Sequence, residues 1–192
     1  MYHNHLFEFL DKIYPLNSES KNIIKENTFV QHFPKGTILH PIGEIQDKAY
    51  FICKGLLRAY YIEHEKEVTA WVLNENDFAY IPCSFLQQLP SFEAIEAIED
   101  VIVIVFDYKI LQKMYAYSLE LNIISRLIAE QYLVRLDERV RLLRLHTTEE
   151  KFLRFIRLFS NIYERISLKD IASFLGTTAG NISRVHNKKH KN

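Results

Sequence analysis

The sequence predicts an α+β chain: an N-terminal antiparallel β-roll of jelly-roll type, one long helix, and a C-terminal helix–turn–helix. Three observations carry this. Between Thr28 and Asp107, short apolar runs with a period of two alternate with turn residues, the pattern of an antiparallel sandwich or barrel. From Leu119 to His146, 28 residues pass without proline or glycine in a helical apolar period. Ile166 to Val185 then reads as two short capped helices around Gly176. The implied boundaries are 1–116 for the roll and its flanking helices, 117–146 for the long helix and 147–192 for the terminal domain.

In chain order, Leu6, Phe9, Leu10 and Ile13 repeat at helical spacing and predict a helix over 3–14, with His3 and His5 as frayed terminal residues rather than metal ligands. A second short helix spans 18–25, capped by Asn17 or Ser18. The strand candidates are Thr28–Phe33, Thr37–His40, Ala49–Cys53, Leu56–Ile62, Glu67–Leu73, Ala94–Ala97 and Val101–Phe106. Lys54-Gly55 is expected to be a tight hairpin turn, because glycine accepts positive φ. Phe78 to Phe92, with Pro82, Pro90 and several aromatics, breaks the alternation. It holds a helical turn near Ser84–Gln88 and is either core or the lining of an effector pocket, with Trp71, Phe78, Tyr80, Phe85, Phe92 and Glu93 as candidate lining residues.

Lys109–Tyr115 is a further short helix. The long helix after it would run about 40 Å at ~1.5 Å per residue, more than one small domain covers. Leu121, Ile124 and Ile128 form one stripe, overlapped by Ile123, Leu127 and Val134, so one face can meet the chain's own roll and another a second copy. The expectation is a homodimer, with Leu121, Ile124 and Ile128 as dimerisation residues. Thr147-Thr-Glu-Glu150 is a capping box that closes this segment and opens a helix with Phe152, Phe155, Ile156 and Phe159 on one face. In the terminal stretch, Ser167 caps a helix carrying Leu168, Ile171, Ala172 and Leu175. Gly176 ends it, and Thr177 or Thr178 caps the last helix. That helix turns Ile182 and Val185 inward and presents Asn181, Ser183 and Arg184, with Lys188, Lys189 and Lys191 beyond, a surface suited to a DNA major groove.

Composition narrows the function classes. Hydrophobic content of 48% with 25% charged residues is globular. The longest aliphatic and aromatic run, Val101–Phe106, is far short of the ~20 residues that span a bilayer. The first ten residues lack a basic n-region, so no secretion signal and no membrane partner are expected. Cys53 and Cys83 read as reduced thiols of a cytoplasmic protein. Residues 1–107 hold 8 Lys+Arg against 16 Asp+Glu and residues 108–192 hold 16 against 8, a net of −8 followed by +8. Only the second half is suited to a polyanion.

From Phe7 to about Lys189 the chain resembles the Crp–Fnr family of bacterial transcription regulators, in the short form common among Bacteroidetes. The residues that carry the resemblance are Phe33-Pro-Lys-Gly-Thr37, Tyr50-Phe-Ile-Cys-Lys-Gly55, Asn76-Asp-Phe78 and the Ile166–Val185 stretch, in this order and spacing. The resemblance implies a cyclic-nucleotide-binding-like roll, a dimerisation helix and a DNA-binding helix–turn–helix, with RNA polymerase and a small-molecule effector as further partners. It also implies DNA-binding roles for Thr177, Thr178, Asn181, Ser183, Arg184, Lys188 and Lys189, with Arg184 on a guanine.

Two departures stand out. Where cyclic-AMP-binding members carry a Gly-Glu pair, this chain reads Asp77-Phe-Ala-Tyr-Ile81. Where they carry an Arg followed by Ser or Thr that grips the phosphate, it has Phe92-Glu93. Without that Arg, and with a carboxylate instead, the usual cyclic-nucleotide mode is disfavoured. The cofactor expectation is therefore none, with an unidentified effector. The family's β wing beyond the recognition helix is not expected within the few residues left to Asn192. Gly180 stands where the family often has a base-reading Glu, and Gly weakens a helix by up to ~1 kcal/mol relative to Ala.

An enzyme of cupin type would need clustered histidines, whereas His32, His40 and His64 are isolated. Two cysteines do not hold an iron–sulfur cluster. The expectation is a sequence-specific DNA-binding regulator that is not an enzyme and holds no metal. The alternative is a sensor or protein-interaction module with weakened DNA binding.

Overall fold

The computed structural model describes residues 1–189, the side chain of Lys189 excepted. Helix α1 (Tyr2–Ile13) buries Leu6 and Leu10, the i, i+4 pair of its apolar stripe. Helix α2 (Ser18–Asn27) starts at Asn17, whose side chain accepts from the Ser20 amide. The expectation of a frayed terminus fails. His3 Nε2 lies 2.9 Å from Thr28 Oγ1 and His5 Nε2 lies 2.8 Å from Asn76 Oδ1, so both imidazoles tie α1 to the roll.

Eight strands follow: β1 (Thr28–Phe33), β2 (Ile38–His40), β3 (Lys48–Lys54), β4 (Leu57–Glu63), β5 (Lys66–Leu73), β6 (Phe78–Ala79), β7 (Glu93–Ala97) and β8 (Val101–Asp107). They form two four-stranded antiparallel sheets, ordered β1-β8-β3-β6 and β2-β7-β4-β5. The two-residue strand β6, too short for any period to register, pairs Ala79 with Tyr50. Residues of alternating parity along β3 and β8 serve two cores. Tyr50, Ile52, Val103 and Val105 meet Leu57, Leu73 and Ile95 between the sheets. Ala49, Phe51, Ile104 and Phe106 face the helices instead.

Lys54-Gly55 does not make a hairpin, because β3 and β4 belong to different sheets. The chain crosses over there, with Gly55 at φ +97° and pressed so close to the start of β8 that a Cβ would sit 2.5 Å from the Asp100 carbonyl oxygen. The tight hairpin lies at His64-Glu65, both left-handed, with Glu63 opposite Lys66. Helix α3 (Pro82–Gln87) begins two residues before the expected turn, with Pro82 in its first turn, and ends at Gln88 in the left-handed region.

Helix α4 (Tyr108–Tyr117) is capped by Asp107. Helix α5 (Leu119–Leu143) is capped by Ser118, whose hydroxyl also meets Ser20 of α2 at 3.0 Å. At 25 residues α5 is roughly 37 Å long. It stops three residues before His146, because Thr147 and Glu150 form the capping box of α6 (Thr148–Leu158). The placement of Leu121, Ile124 and Ile128 as dimer residues is corrected. Leu121 and Ile124 are buried in the chain's own core with α1, α2 and the sheet, and Ile128 packs on the same cluster. The large apolar residues that α5 leaves exposed are Leu119, Leu133, Val134 and Val140. Leu133 follows Ile124 by nine positions, about half a turn round the helix.

Short helix α7 (Ser160–Tyr163), α8 (Leu168–Phe174) and α9 (Ala179–Lys189) complete the described residues. Phe152, Phe155, Ile162, Ile171, Phe174, Leu175 and Ile182 form their core, which is continuous with Leu56 and Val72 of the roll.

Candidate nucleic-acid interface and effector cleft

Helices α8 and α9 are the two arms of the helix–turn–helix. Ser167 accepts from the Asp170 amide at 3.0 Å, and Gly176 ends α8 at φ +65°. Thr178 Oγ1 caps α9 by accepting from the Asn181 amide. Ile182 is fully buried and Val185 half-buried, so α9 is keyed to the domain core by its inner face while Arg184 stands exposed. The other predicted DNA-facing residues divide. Thr178 and Lys188 are exposed and Ser183 is half-buried. Asn181 donates to Thr177 Oγ1 at 3.2 Å, and that hydroxyl lies 3.3 Å from Thr148 Oγ1, so both side chains are engaged within the domain. Lys188 pairs with Glu149 at 3.4 Å. The side chain of Lys189, and Lys191, lie outside the described residues.

Three contacts that no sequence period announces clamp this domain to the roll. Arg165, just before α8, donates to both carboxylate oxygens of Glu75 at 2.8 and 2.9 Å and to both of Glu99 at 3.0 and 2.6 Å. Partial burial alone would raise the Glu75 carboxyl, but Arg165 and the Gly55 amide outweigh it and bring the pKa down to about 2. Arg58, buried in β4, donates to Glu96 and Glu67 on its own sheet and reaches Asp170 of α8 at 2.9 Å. Ser173 of α8 accepts from the Thr69 amide at 2.8 Å and so covers the β5 edge of its sheet. As a result the acidic hairpin Glu65-Lys66-Glu67 forms one wall of a groove, and Thr177, Thr178 and Ala179, at the start of α9, form the other.

Behind the clamp, Arg139 of α5 is sandwiched between Phe174 of α8 (4.0 Å to the ring centroid) and Trp71 of β5 (5.1 Å). Its Nη1 is buried with no hydrogen-bond partner among the described residues. Burial lowers the guanidinium to about 10 against the opposing pull of Glu93, Tyr132 and Tyr61. Burial likewise raises the Glu93 carboxyl, which Arg139 partly counters. Tyr132 packs on Trp71 with centroids 5.4 Å apart and on Tyr80 at 6.5 Å. Arg135 makes a two-pronged ion pair with Asp77 beside them.

Residues 30–118 match the family model of the cyclic nucleotide-binding domain. No curated protein sequence matches the chain. Among solved structures, FixK2 from Bradyrhizobium japonicum is 18% identical and superposes with a TM-score of 0.72 over 85% of each chain. CLP, the c-di-GMP responsive global regulator of Xanthomonas campestris, is 16% identical with a TM-score of 0.72 over 91% of this chain and 92% of that one. A Crp/Fnr-family regulator from Eubacterium rectale is 20% identical with a TM-score of 0.70 over 93% and 88%. The chain has the Crp–Fnr fold.

Within that Crp–Fnr fold, the six predicted pocket residues fall into separate places. Phe78, Tyr80 and Phe85 line a cavity between the outer face of the first sheet and the helices. Trp71 and Glu93 instead face Tyr132 and Arg139 on the other side of Tyr80. Phe92 is 58% exposed and lines neither. Tyr132, Arg135 and Arg139 were missed by sequence reasoning. A guanidinium on a long helix reads as a solvated charge until the sheet that covers it is in place. Among the described residues no His/Cys/Asp/Glu group is arranged to hold a metal, and no helix is long and apolar enough to cross a membrane.

Proposed function

We propose that this chain is a homodimeric, sequence-specific DNA-binding transcription regulator of the Crp–Fnr type, not an enzyme. Its α9 enters the major groove and its sensor roll works without a cyclic nucleotide held in the usual mode. The observation that carries this is the helix–turn–helix itself. Ile182 fixes α9 on the core of the domain while Arg184 projects from the opposite face, without an ion-pair partner among the described residues. A +8 second half attached to a −8 first half supports phosphate contact through the terminal domain. The apolar residues left bare on α5, above all Leu133 and Val140 seven positions apart, support pairing with the same helix of a second copy. Such a dimer would place two α9 helices about 34 Å apart, one DNA turn. RNA polymerase contact and work in the cytoplasm belong to the same reading.

The absence of cyclic-nucleotide binding rests on Phe92 and Glu93. One is turned to solvent and the other is a carboxylate, where the resemblance calls for a phosphate-gripping Arg and its hydroxyl neighbour. The β4–β5 hairpin stands opposite Thr177 and Thr178, so the docked state crowds the start of α9 and favours weak DNA binding. Full DNA affinity would then require the Arg165 clamp to open. If it never opens, the chain is the protein-interaction module of the second reading.

The test is selection of bound duplexes from random DNA, followed by anisotropy titration of the selected site. Arg184→Ala should weaken that site by about 1–3 kcal/mol, ten-fold or more. Equal affinity of parent and variant removes the assigned role of Arg184.

A further inference from the structure

A cavity of about 290 Å³ lies between the outer face of the β1-β8-β3-β6 sheet and helices α1 to α5. Its walls come from every one of those helices: Leu10, Ile24, Phe85, Met114, Ile124 and Ile128. Well-packed interiors leave few voids larger than a single water, and a water needs two to four polar partners to stay. This wall offers polar side-chain atoms at one end only, the hydroxyls of Tyr80, Tyr115 and Ser125, and no charged residue lines it. Ser125 donates to the Tyr115 phenol oxygen at 2.9 Å, which leaves the phenol proton without a protein acceptor among the described residues. Burial raises the pKa of both Tyr80 and Tyr115, so each keeps its proton. The mouth is marked by Leu86, 59% exposed, and Ala129, also exposed.

We propose that this cavity is a binding site for an uncharged, largely apolar small molecule that carries one hydrogen-bond acceptor, which takes the Tyr115 proton. The volume is at the lower end of those that hold small ligands, about 300 Å³, enough for a fused bicyclic ring or a medium acyl chain. An anion is excluded by the uncharged wall, which separates this site chemically from one for a nucleotide phosphate. The site rests on the sensor role given to the roll and names the ligand class. Its position has a direct consequence, because Ile124, Ser125 and Ile128 belong to α5, and Tyr80 at its polar end also packs on Tyr132. Tyr132 touches Trp71, and Trp71 shares Arg139 with Phe174 of the helix–turn–helix. Occupancy therefore bears on the helix that carries the DNA-reading domain.

The experiment titrates the full chain, without DNA, with prodan, an uncharged naphthalene ketone whose emission moves to the blue in apolar surroundings. Naphthalene serves as a competitor that lacks the acceptor. The expected result is a saturable blue shift at one prodan per chain, reversed by naphthalene. Ile128→Trp, which fills the cavity, should weaken prodan at least ten-fold. Tyr115→Phe, which keeps the ring, should weaken prodan about three- to ten-fold, the loss of one hydrogen bond, and leave naphthalene unchanged. The Tyr115 variant decides the matter if Ile128→Trp fails to fold. No saturable shift in the parent, or parent-like prodan binding in Tyr115→Phe, overturns the proposal. Since no DNA is present, failure here leaves the DNA-binding reading untouched, and failure of Arg184→Ala to matter leaves this one standing.

Discussion

Replacing Arg165 with Ala removes four charge-assisted hydrogen bonds at once and leaves Glu75 and Glu99 facing each other without a cation. The side chains of Arg165, Glu75 and Glu99 keep 29%, 30% and 31% of their surface, so the interaction is partly screened. The fall of the Glu75 carboxyl from 4.5 to about 2 corresponds to about 3 kcal/mol at ~1.4 kcal/mol per unit. Solvent screening and the share held by the Gly55 amide reduce the Arg165 part to about 1–2 kcal/mol. Loss of the Glu99 pair adds a similar or smaller amount, so the expected destabilisation at pH 7 is about 2 kcal/mol.

The pH dependence has a definite sign. The folded-state pKa of Glu75 lies below its unfolded value, so the stabilisation is complete above about pH 4.5 and is lost as the pH falls toward 2. Urea unfolding at fixed protein concentration, at pH 7 and pH 3, measures it. The gap between parent and variant should be about 2 kcal/mol at pH 7 and clearly smaller at pH 3. A gap under about 0.5 kcal/mol at pH 7, or one that does not change with pH, would refute the clamp as an energetic feature. The same variant should bind the selected DNA site at least as tightly as the parent, because Arg165 holds the docked state and is not on α9.

Leu133→Glu should shift the protein from dimer to monomer in sedimentation at micromolar concentration, whereas a charge at this exposed position would leave an isolated fold intact. Cyclic AMP at millimolar concentration should leave the melting temperature within a degree of the ligand-free value; a rise of several degrees would contradict the role given to Phe92 and Glu93. Gly55→Ala should cost about 2 kcal/mol or more in urea unfolding, because the added methyl meets the Asp100 carbonyl at 2.5 Å and the φ of +97° is strained for any residue with a Cβ.

Local rules were enough to read most individual elements. The caps read at Asn17, Thr147 and Ser167 act between residues three apart, and each one forms. The strand candidates agree with the structure to within a residue or two, because an antiparallel strand buried on alternate faces writes its period into the sequence. Where sequence reading failed, the deciding partner was distant in the chain. Gly55 looked like a hairpin glycine, yet its neighbour is Asp100, and the tight hairpin formed at His64-Glu65, which lacks the usual Asn-Gly signal. Leu121, Ile124 and Ile128 form a stripe under either a monomer core or a dimer seam, and periodicity alone does not say which neighbour covers a helix face. The candidate pocket was drawn as one set of five aromatics and Glu93, whereas the fold divides it on either side of Tyr80 and leaves Phe92 exposed.

By itself the sequence determined most helices and strands to within a few residues, the opposed charges of the two halves, and the capped two-helix unit that exposes Arg184. Those properties arise from neighbours within a turn of helix or a pleat of strand. Only the tertiary structure decided which face of α5 stays bare and which cations become the clamp. It also decided that an uncharged cavity is left beneath the helices. Each of these depends on burial by residues that are remote along the chain, where the free energy of covering a group from water is set.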